Sequence, residues 1–344
     1  MRDFCVSGKF SIALCVVLAS TYGSMAQDRP PTFAGPDSMP GQGPQTPFSM
    51  PPDHSRYAAS GQSSLFRNVP ARPRGNDDHA HETPEPADLT LDNLLTAGWD
   101  TEFQRRPTSG RAVRLPLFRT RQPFLFREIR FDYRYAANAE SGRADQHILA
   151  GELLLAVNRR FQFGVFPEYE WLQEDDGRLR HAAFWAFANR LQLIDTHDSA
   201  LNVAYRVRTP RGETFDDGLT RIGMTLAGFR DLGNRVGIQG HVETDFFIGP
   251  RQPGQSRYDM TYALAVTKTV TEEDVFPADL TFFVEGFGRT HLEGRNAGRT
   301  SVSLLPGCRF MVVKDLFFAA GVEIPVVAPR PFDQTFHFSI RREF

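Results

Sequence analysis

Two short stretches hold residue types able to do nucleophilic chemistry. His337 and Ser339 stand two residues apart, and His197-Asp198-Ser199 are contiguous. A hydroxyl nucleophile needs an imidazole base within hydrogen-bond reach and a third group to orient that base. The second stretch reads as a tight turn with no evident base–orienter geometry. The first lies on the polar face of an alternating segment. A third stretch, Asp77-Asp78-His79-Ala80-His81-Glu82, mixes imidazole with carboxylate, a donor set that suits zinc or copper. It falls in a Pro-rich region, where a solvated charge cluster is the simpler reading. There is no Walker loop, no GxGxxG after a strand and no CxxC pair. The expectation is a non-enzyme with no catalytic residue, no resident metal and no cofactor.

The most regular chemistry is a set of charges at period two. In FREIRFDYRYA, Glu128, Arg130, Asp132 and Arg134 fall on one face, with Ile129, Phe131, Tyr133 and Tyr135 on the other. In SALNVAYRVR, Leu201, Val203, Tyr205 and Val207 oppose Asn202, Ala204, Arg206 and Arg208. In RVGIQGHVETDFFIG, Val236, Ile238 and Val242 oppose Gln239, His241, Glu243 and Asp245. Alternation at this period is the signature of a strand whose two faces meet different environments. Taken along the chain, the polar phase carries Glu128, Arg130, Asp132, Arg134, Glu168, Glu170, Arg190, Arg206, Arg208, Glu243, Asp245, Glu285, Arg289, Arg309, Glu323 and Arg341. Both signs are present. Opposed acidic and basic groups of this kind either orient a solute in a channel or pair into a rigid polar core.

Twelve such segments run from about Pro123 to the last residue: 124–137, 146–157, 160–173, 180–193, 199–208, 218–230, 234–247, 257–270, 279–290, 300–313, 317–327 and 334–344. Soluble strands commonly run about 5–6 residues, whereas a tilted membrane strand needs roughly 9–11. Almost every segment here reaches the longer figure. The gaps broadly alternate between tight turns and longer polar, Gly-rich loops, as in membrane barrels. TEEDVFPAD departs from the alternation. An even strand number puts both barrel ends on the periplasmic side. A closed sheet pairs every backbone group and leaves no edge, so it can cross lipid without an apolar helix. The fold class expected is all-β: a closed antiparallel transmembrane barrel of about 12 strands, occupying 123–344, with its apolar phase outward.

The remaining regions are simpler. Arg2 and Lys9, the apolar run Phe10–Ala19 and Ser24-Met25-Ala26 give 1–26 the form of a cleaved signal peptide. Cys5 and Cys15 lie within it, leaving Cys308 with no intramolecular partner. Residues 27–87 hold half of the chain's 24 prolines and lack any sustained apolar period, so they read as a disordered Pro-rich linker or tether. Residues 88–122 read as a short amphipathic helix and a connecting segment, able to act as a plug or lid. Asp88 or Thr90 would cap the helix, Leu91, Leu94 and Leu95 share its face, and Gly98 ends it. A formal charge of -2 gives no electrostatic case for nucleic acid as a partner.

The closing stretch FHFSIRREF resembles the C-terminal strand signal of bacterial outer-membrane barrel proteins. Phe336, Phe338, Ile340 and Phe344 match its alternate apolar positions, and Arg342 departs from them. The resemblance implies a bacterial outer-membrane location, with outer-membrane lipid and the barrel-assembly machinery as partners. Replacing Phe344 by a charged residue is then expected to impair outer-membrane assembly, and unaltered assembly would count against the signal. A further likeness covers 218–344. Glu285-Gly286-Phe287-Gly288, Leu304-Leu305-Pro306-Gly307 and Gly321-Val322-Glu323-Ile324-Pro325 resemble the transporter-like barrels of the "MetA-pathway of phenol degradation" family. That resemblance implies a passive channel or transporter for small, hydrophobic or aromatic molecules, with the solute itself unidentified. Two other roles stay open: a structural envelope barrel with a filled lumen and a periplasmic tether, and a soluble secreted β protein. Radius of the open path separates them, because a lumen filled by 88–122 removes simple porin behaviour.

Overall fold

Period-two alternation gives each strand one face for an apolar exterior and one for a polar interior, and closing the sheet satisfies both at once. The computed structural model describes residues 87–103, 111–139, 144–211, 219–249, 256–272, 275–328 and 330–344. The expected signal segment, the Pro-rich arm up to residue 86 and the Asp77–Glu82 cluster lie outside the described residues. Twelve strands follow in order: β1 (Glu128–Asn138), β2 (Ala144–Ala156), β3 (Phe161–Glu174), β4 (Leu179–Asp195), β5 (Ser199–Arg211), β6 (Thr220–Asp231), β7 (Val236–Ile248), β8 (Tyr258–Thr269), β9 (Ala278–His291), β10 (Thr300–Val313), β11 (Leu316–Val327) and β12 (Gln334–Glu343). Each pairs antiparallel with its sequence neighbours, and β12 pairs with β1 to close the barrel. The closing register runs from Glu128 opposite Glu343 to Ala137 opposite Gln334. Phe344 extends it by donating its amide to the Arg127 carbonyl at 3.1 Å.

The phase is as the sequence implies. Ile129, Phe131, Met224, Val266, Phe282 and Ile340 face outward and are exposed. Glu128, Glu243, Glu285, Arg309 and Arg341 face inward and are buried. Far from the chain ends the outer surface carries an aromatic row across five strands. Phe336, Tyr135, His147, Trp171 and His181 are successive cross-strand partners on β12, β1, β2, β3 and β4. His147 and Trp171 stack with centroids 5.0 Å apart, and the Tyr135 and Phe336 rings stack at 6.2 Å. Such girdles suit the boundary between an apolar slab and water.

The glycines of the Leu304–Gly307 and Gly321–Pro325 stretches have a packing role. Gly307 and Gly321 are cross-strand partners. A Cβ on Gly307 would lie 2.4 Å from Cζ of Phe283 and 2.6 Å from the Ala320 carbonyl oxygen, and one on Gly321 would lie 2.6 Å from Cδ2 of Leu305. The paired glycines make a dent that Phe283 and Leu305 fill. Gly307→Val is expected to cost about 1–3 kcal/mol through overpacking, read as a lower temperature for loss of heat-resistant gel mobility. An unchanged temperature would show that the dent can yield.

Besides shifts of up to three residues at other strand ends, two features differ from the sequence reading. β1 begins at Glu128, because Pro123–Arg127 belong to a segment inside the barrel. Asp88–Trp99 form turns in place of the expected helix. The cause is local competition for its carbonyls. Asn93 accepts the Thr90 amide at 2.8 Å through Oδ1 and donates to the Asp88 carbonyl at 3.0 Å. The Arg160 guanidinium, from the β2–β3 turn, takes the carbonyls of Thr90, Asn93 and Ala97. Burial lowers the Arg160 pKa, and the ring of acceptors compensates for lost water. Leu95 consequently stands 86% exposed, and the buried leucine is Leu89, which bridges to Asp195 of β4. The turn segment thus seats on the rim that carries the barrel's chain ends. Arg160→Ala should release it. Chymotrypsin cleavage near Leu94 and Trp99 is expected to quicken at least about tenfold, the factor for about 1.4 kcal/mol, and an unchanged rate would assign the seat to Leu89 alone.

Candidate functional site

Residues 111–127 read RAVRLPLFRTRQPFLFR, with five arginines and no carboxylate. Their complement is on the inner wall. The segment begins at the terminal rim, where Arg111 pairs with Asp198 at 2.9 Å and Arg114 with Asp195 at 2.5 Å. Its apolar side then packs inward. Val113, Leu115 and Leu117 are buried against Ala265, Phe283 and Leu305, with Phe118 alongside. On the return, Phe124 and Phe126 are buried with Ala112, Ala200 and Phe229. Apolar core therefore occupies the terminal half of the lumen.

The innermost turn of the segment is held by charge. Glu285 on β9, fully buried, accepts three successive backbone amides: Phe118 at 3.0 Å, Arg119 at 3.0 Å and Thr120 at 2.7 Å. Arg119 reaches Glu323 at 2.7 Å, and the same carboxylate takes His337 Nε2 at 2.9 Å. Arg121 donates to both oxygens of Glu243, at 2.7 and 3.1 Å, while its amide donates to His241 Nδ1 at 3.1 Å. Gln122 completes the seat, donating to Glu128 at 2.9 Å and accepting from Arg190 at 2.7 Å. The Asn202 and Gln192 amides hold the carbonyls of Gln122 and Pro123.

Beyond this floor lies a cavity of about 780 Å³, reaching from Leu117–Gln122 to Ala139 and Arg330–Phe332 near the opposite rim. Of the inward charges read from sequence, Arg130, Asp132, Arg134, Glu168, Glu170, Arg190, Arg206, Arg208, Arg289 and Glu323 line it. The other six stand elsewhere. Glu285 and Glu243 hold the segment, Asp245 pairs with Arg221, and Arg341 pairs with Glu128 at 3.5 Å. Arg309 stacks on Phe317, 3.8 Å from its centroid. These six are inward as expected but do not line the open space. Arg119, Arg121, Glu152, Arg221 and Arg330 join the cavity lining and were missed by strand phase. The first two precede the strands, and the excess of arginine over carboxylate in 111–127 is the signal that could have found them.

Of the residues with nucleophilic chemistry, His197 and Asp198 are exposed in the β4–β5 turn, with Ser199 accepting from Arg230 at 2.6 Å, while His337 and Ser339 are inward but kept to other partners. His337 is bonded to Glu323 and lies against the Phe118 ring at 5.1 Å. Ser339 accepts from Arg130 at 3.1 Å.

Fold and interior together define a class: a closed, twelve-stranded antiparallel barrel with an apolar outer belt, and a lumen that is part apolar core and part charged cavity. No protein-family model matches the chain, and no curated protein matches it. Among solved structures the chain is similar to a KdgM porin, at 11% identity and a TM-score of 0.42, covering 62% of this chain and 99% of that one. It is also similar to the NanC porin, at 10% identity and a TM-score of 0.44, covering 63% and 98%. The β domain of the Bordetella autotransporter BrkA gives 11% identity and a TM-score of 0.44, over 63% and 98%. At such identities the likeness is one of barrel architecture, and no ligand or partner passes from these proteins to this chain. The likeness of 285–325 to the phenol-pathway barrels has no family model behind it.

Proposed function

We propose that the chain is a bacterial outer-membrane channel for small solutes, held shut in this state by residues 111–127. The barrel crosses the outer membrane after export, with outer-membrane lipid against its apolar belt and the assembly machinery as its route in. Its terminal rim faces the periplasm, and the role is not enzymatic. One observation carries the reading: the innermost turn of the segment hangs by three amides on the buried Glu285 carboxylate, between the Arg119–Glu323 and Arg121–Glu243 ion pairs. Paired charges of this kind can exchange partners, which an all-apolar stopper has no means to do. Passage then requires 111–127 to shift while the β-ladder stays closed. The cavity beyond it, with its guanidinium surface, favours polar or charged solutes, where the phenol-pathway resemblance implies hydrophobic or aromatic ones.

A second reading has an observation of its own. The apolar packing of Val113, Leu115 and Leu117 fits a permanently filled, structural barrel equally well. Liposome swelling separates the two. A channel admits small sugars slowly and faster once the segment is loosened, whereas a structural barrel stays silent in both states. Membrane placement has a separate test. Heat-dependent gel mobility and recovery in outer-membrane fractions are expected, and a chain recovered freely soluble after export would overturn the proposal.

A further inference from the structure

The cavity beyond the segment has an ordered charge arrangement. In four wall or floor pairs the carboxylate is sealed and the guanidinium is open. Arg119 is 22% exposed against 1% for Glu323, Arg121 33% against 1% for Glu243, Arg221 26% against 1% for Asp245, and Arg289 40% against 1% for Asp259. In these four pairs the anion is held within the wall and the cation is presented to the cavity, whereas Asp132 and Glu152 are more exposed than their partner Arg130. Among the described residues, ten arginines and five carboxylates line the space.

Arg206 differs from its neighbours. It lines the cavity, yet no described carboxylate lies within ion-pair distance of it, and its buried Nε has no hydrogen-bond partner. Its guanidinium stands over the Phe166 ring, 4.9 Å from the centroid. Nearby, Arg134 and Arg208 both reach Glu168, at 3.0 and 2.7 Å, and Arg208 also pairs with Glu170 at 3.8 Å. A guanidinium is weakly hydrated and forks to match a carboxylate, so an arginine without an acid beside a paired group is an acceptor for one more anion. The volume of about 780 Å³ falls within the roughly 300–1,000 Å³ of small-molecule sites. Phe247, Phe287 and Phe332 line the same space and offer contacts to an apolar body.

We infer that this cavity is a binding site for a small organic carboxylate, with Arg206 receiving the carboxylate and Arg134 and Arg208 supporting it. The site deepens the channel reading and rests on it only for the solute's later passage. Binding is therefore measured without passage, on the full chain in detergent micelles. The probes are benzoate and benzylammonium, two molecules of similar size and opposite charge, followed by calorimetry. Benzoate is expected to bind, and benzylammonium is not. The benzoate affinity should fall with added salt. Arg206→Gln should weaken it at least about tenfold, and Arg206→Lys should retain part of it. Heat-dependent gel mobility confirms that each variant is folded before it is compared. Equal binding of both probes, no binding of benzoate to the wild type, or undiminished benzoate binding by folded Arg206→Gln would each overturn the site. If benzoate binds as stated but wild-type and loosened proteins never pass solute in liposomes, the site stands and the channel reading falls.

Discussion

Replacing residues 112–122 by a Gly/Ser linker of the same length turns a closed barrel into an open one. The linker keeps the connection to β1 and leaves all twelve strands untouched. It removes the apolar side chains of Val113, Leu115 and Leu117 from the lumen and takes Arg119 and Arg121 from their carboxylates. The arginines' partners Glu323 and Glu243 then face a water-filled lumen, so the charge left behind is solvated and the barrel tolerates it. A Gly/Ser chain has no apolar surface to bury and behaves as a flexible coil, so it does not rebuild the floor. Proteoliposomes carrying the variant are expected to swell in isotonic arabinose, and wild-type proteoliposomes to swell little. Equal swelling would mean that the segment does not govern the path.

Glu285→Ala is the sharper substitution, because it changes one side chain on the wall and nothing in the segment. Three amides lose their acceptor at once. An unsatisfied buried amide costs about 1–3 kcal/mol, although water entering from the cavity replaces part of the bonding. A net loss of about 2.8 kcal/mol shifts the open-to-shut ratio about a hundredfold toward open. Amide hydrogen exchange in peptides spanning 117–122 should accelerate in step, while exchange in β9 itself stays slow. Glu285→Gln keeps one accepting oxygen and should fall between the two. If the Ala variant exchanges like the wild type, the segment is held by its apolar packing and Glu285 is incidental.

The same residues show why the barrel could be read from sequence and its interior only in part. Each strand declares its two faces through neighbours such as Ile129 and Arg130, so strand number and phase follow from local pattern. Closure follows from the last strand, where Phe336 to Ile340 needs a partner and β1 supplies it. The floor has no such period. Pro116 and Pro123 interrupt 111–127, and its apolar residues are buried by being threaded inside, a fact of topology that no local pattern carries. Composition alone holds a pointer to it: basic residues without acids in the segment. The helix expected over 88–99 failed for a related reason. Leucines at helical spacing are a weak signal when a distant side chain, here Arg160, takes the carbonyls that a helix would use.

The claim that residues 111–127 close the lumen is tested most directly by single-channel recording. Wild-type protein and the 112–122 linker variant are reconstituted in planar bilayers under the same salt and voltage. The account predicts rare, brief openings for the wild type and a steady open level for the variant, at equal amounts of inserted, heat-modifiable protein. Indistinguishable conductance in the two, whether both open or both silent, would contradict it.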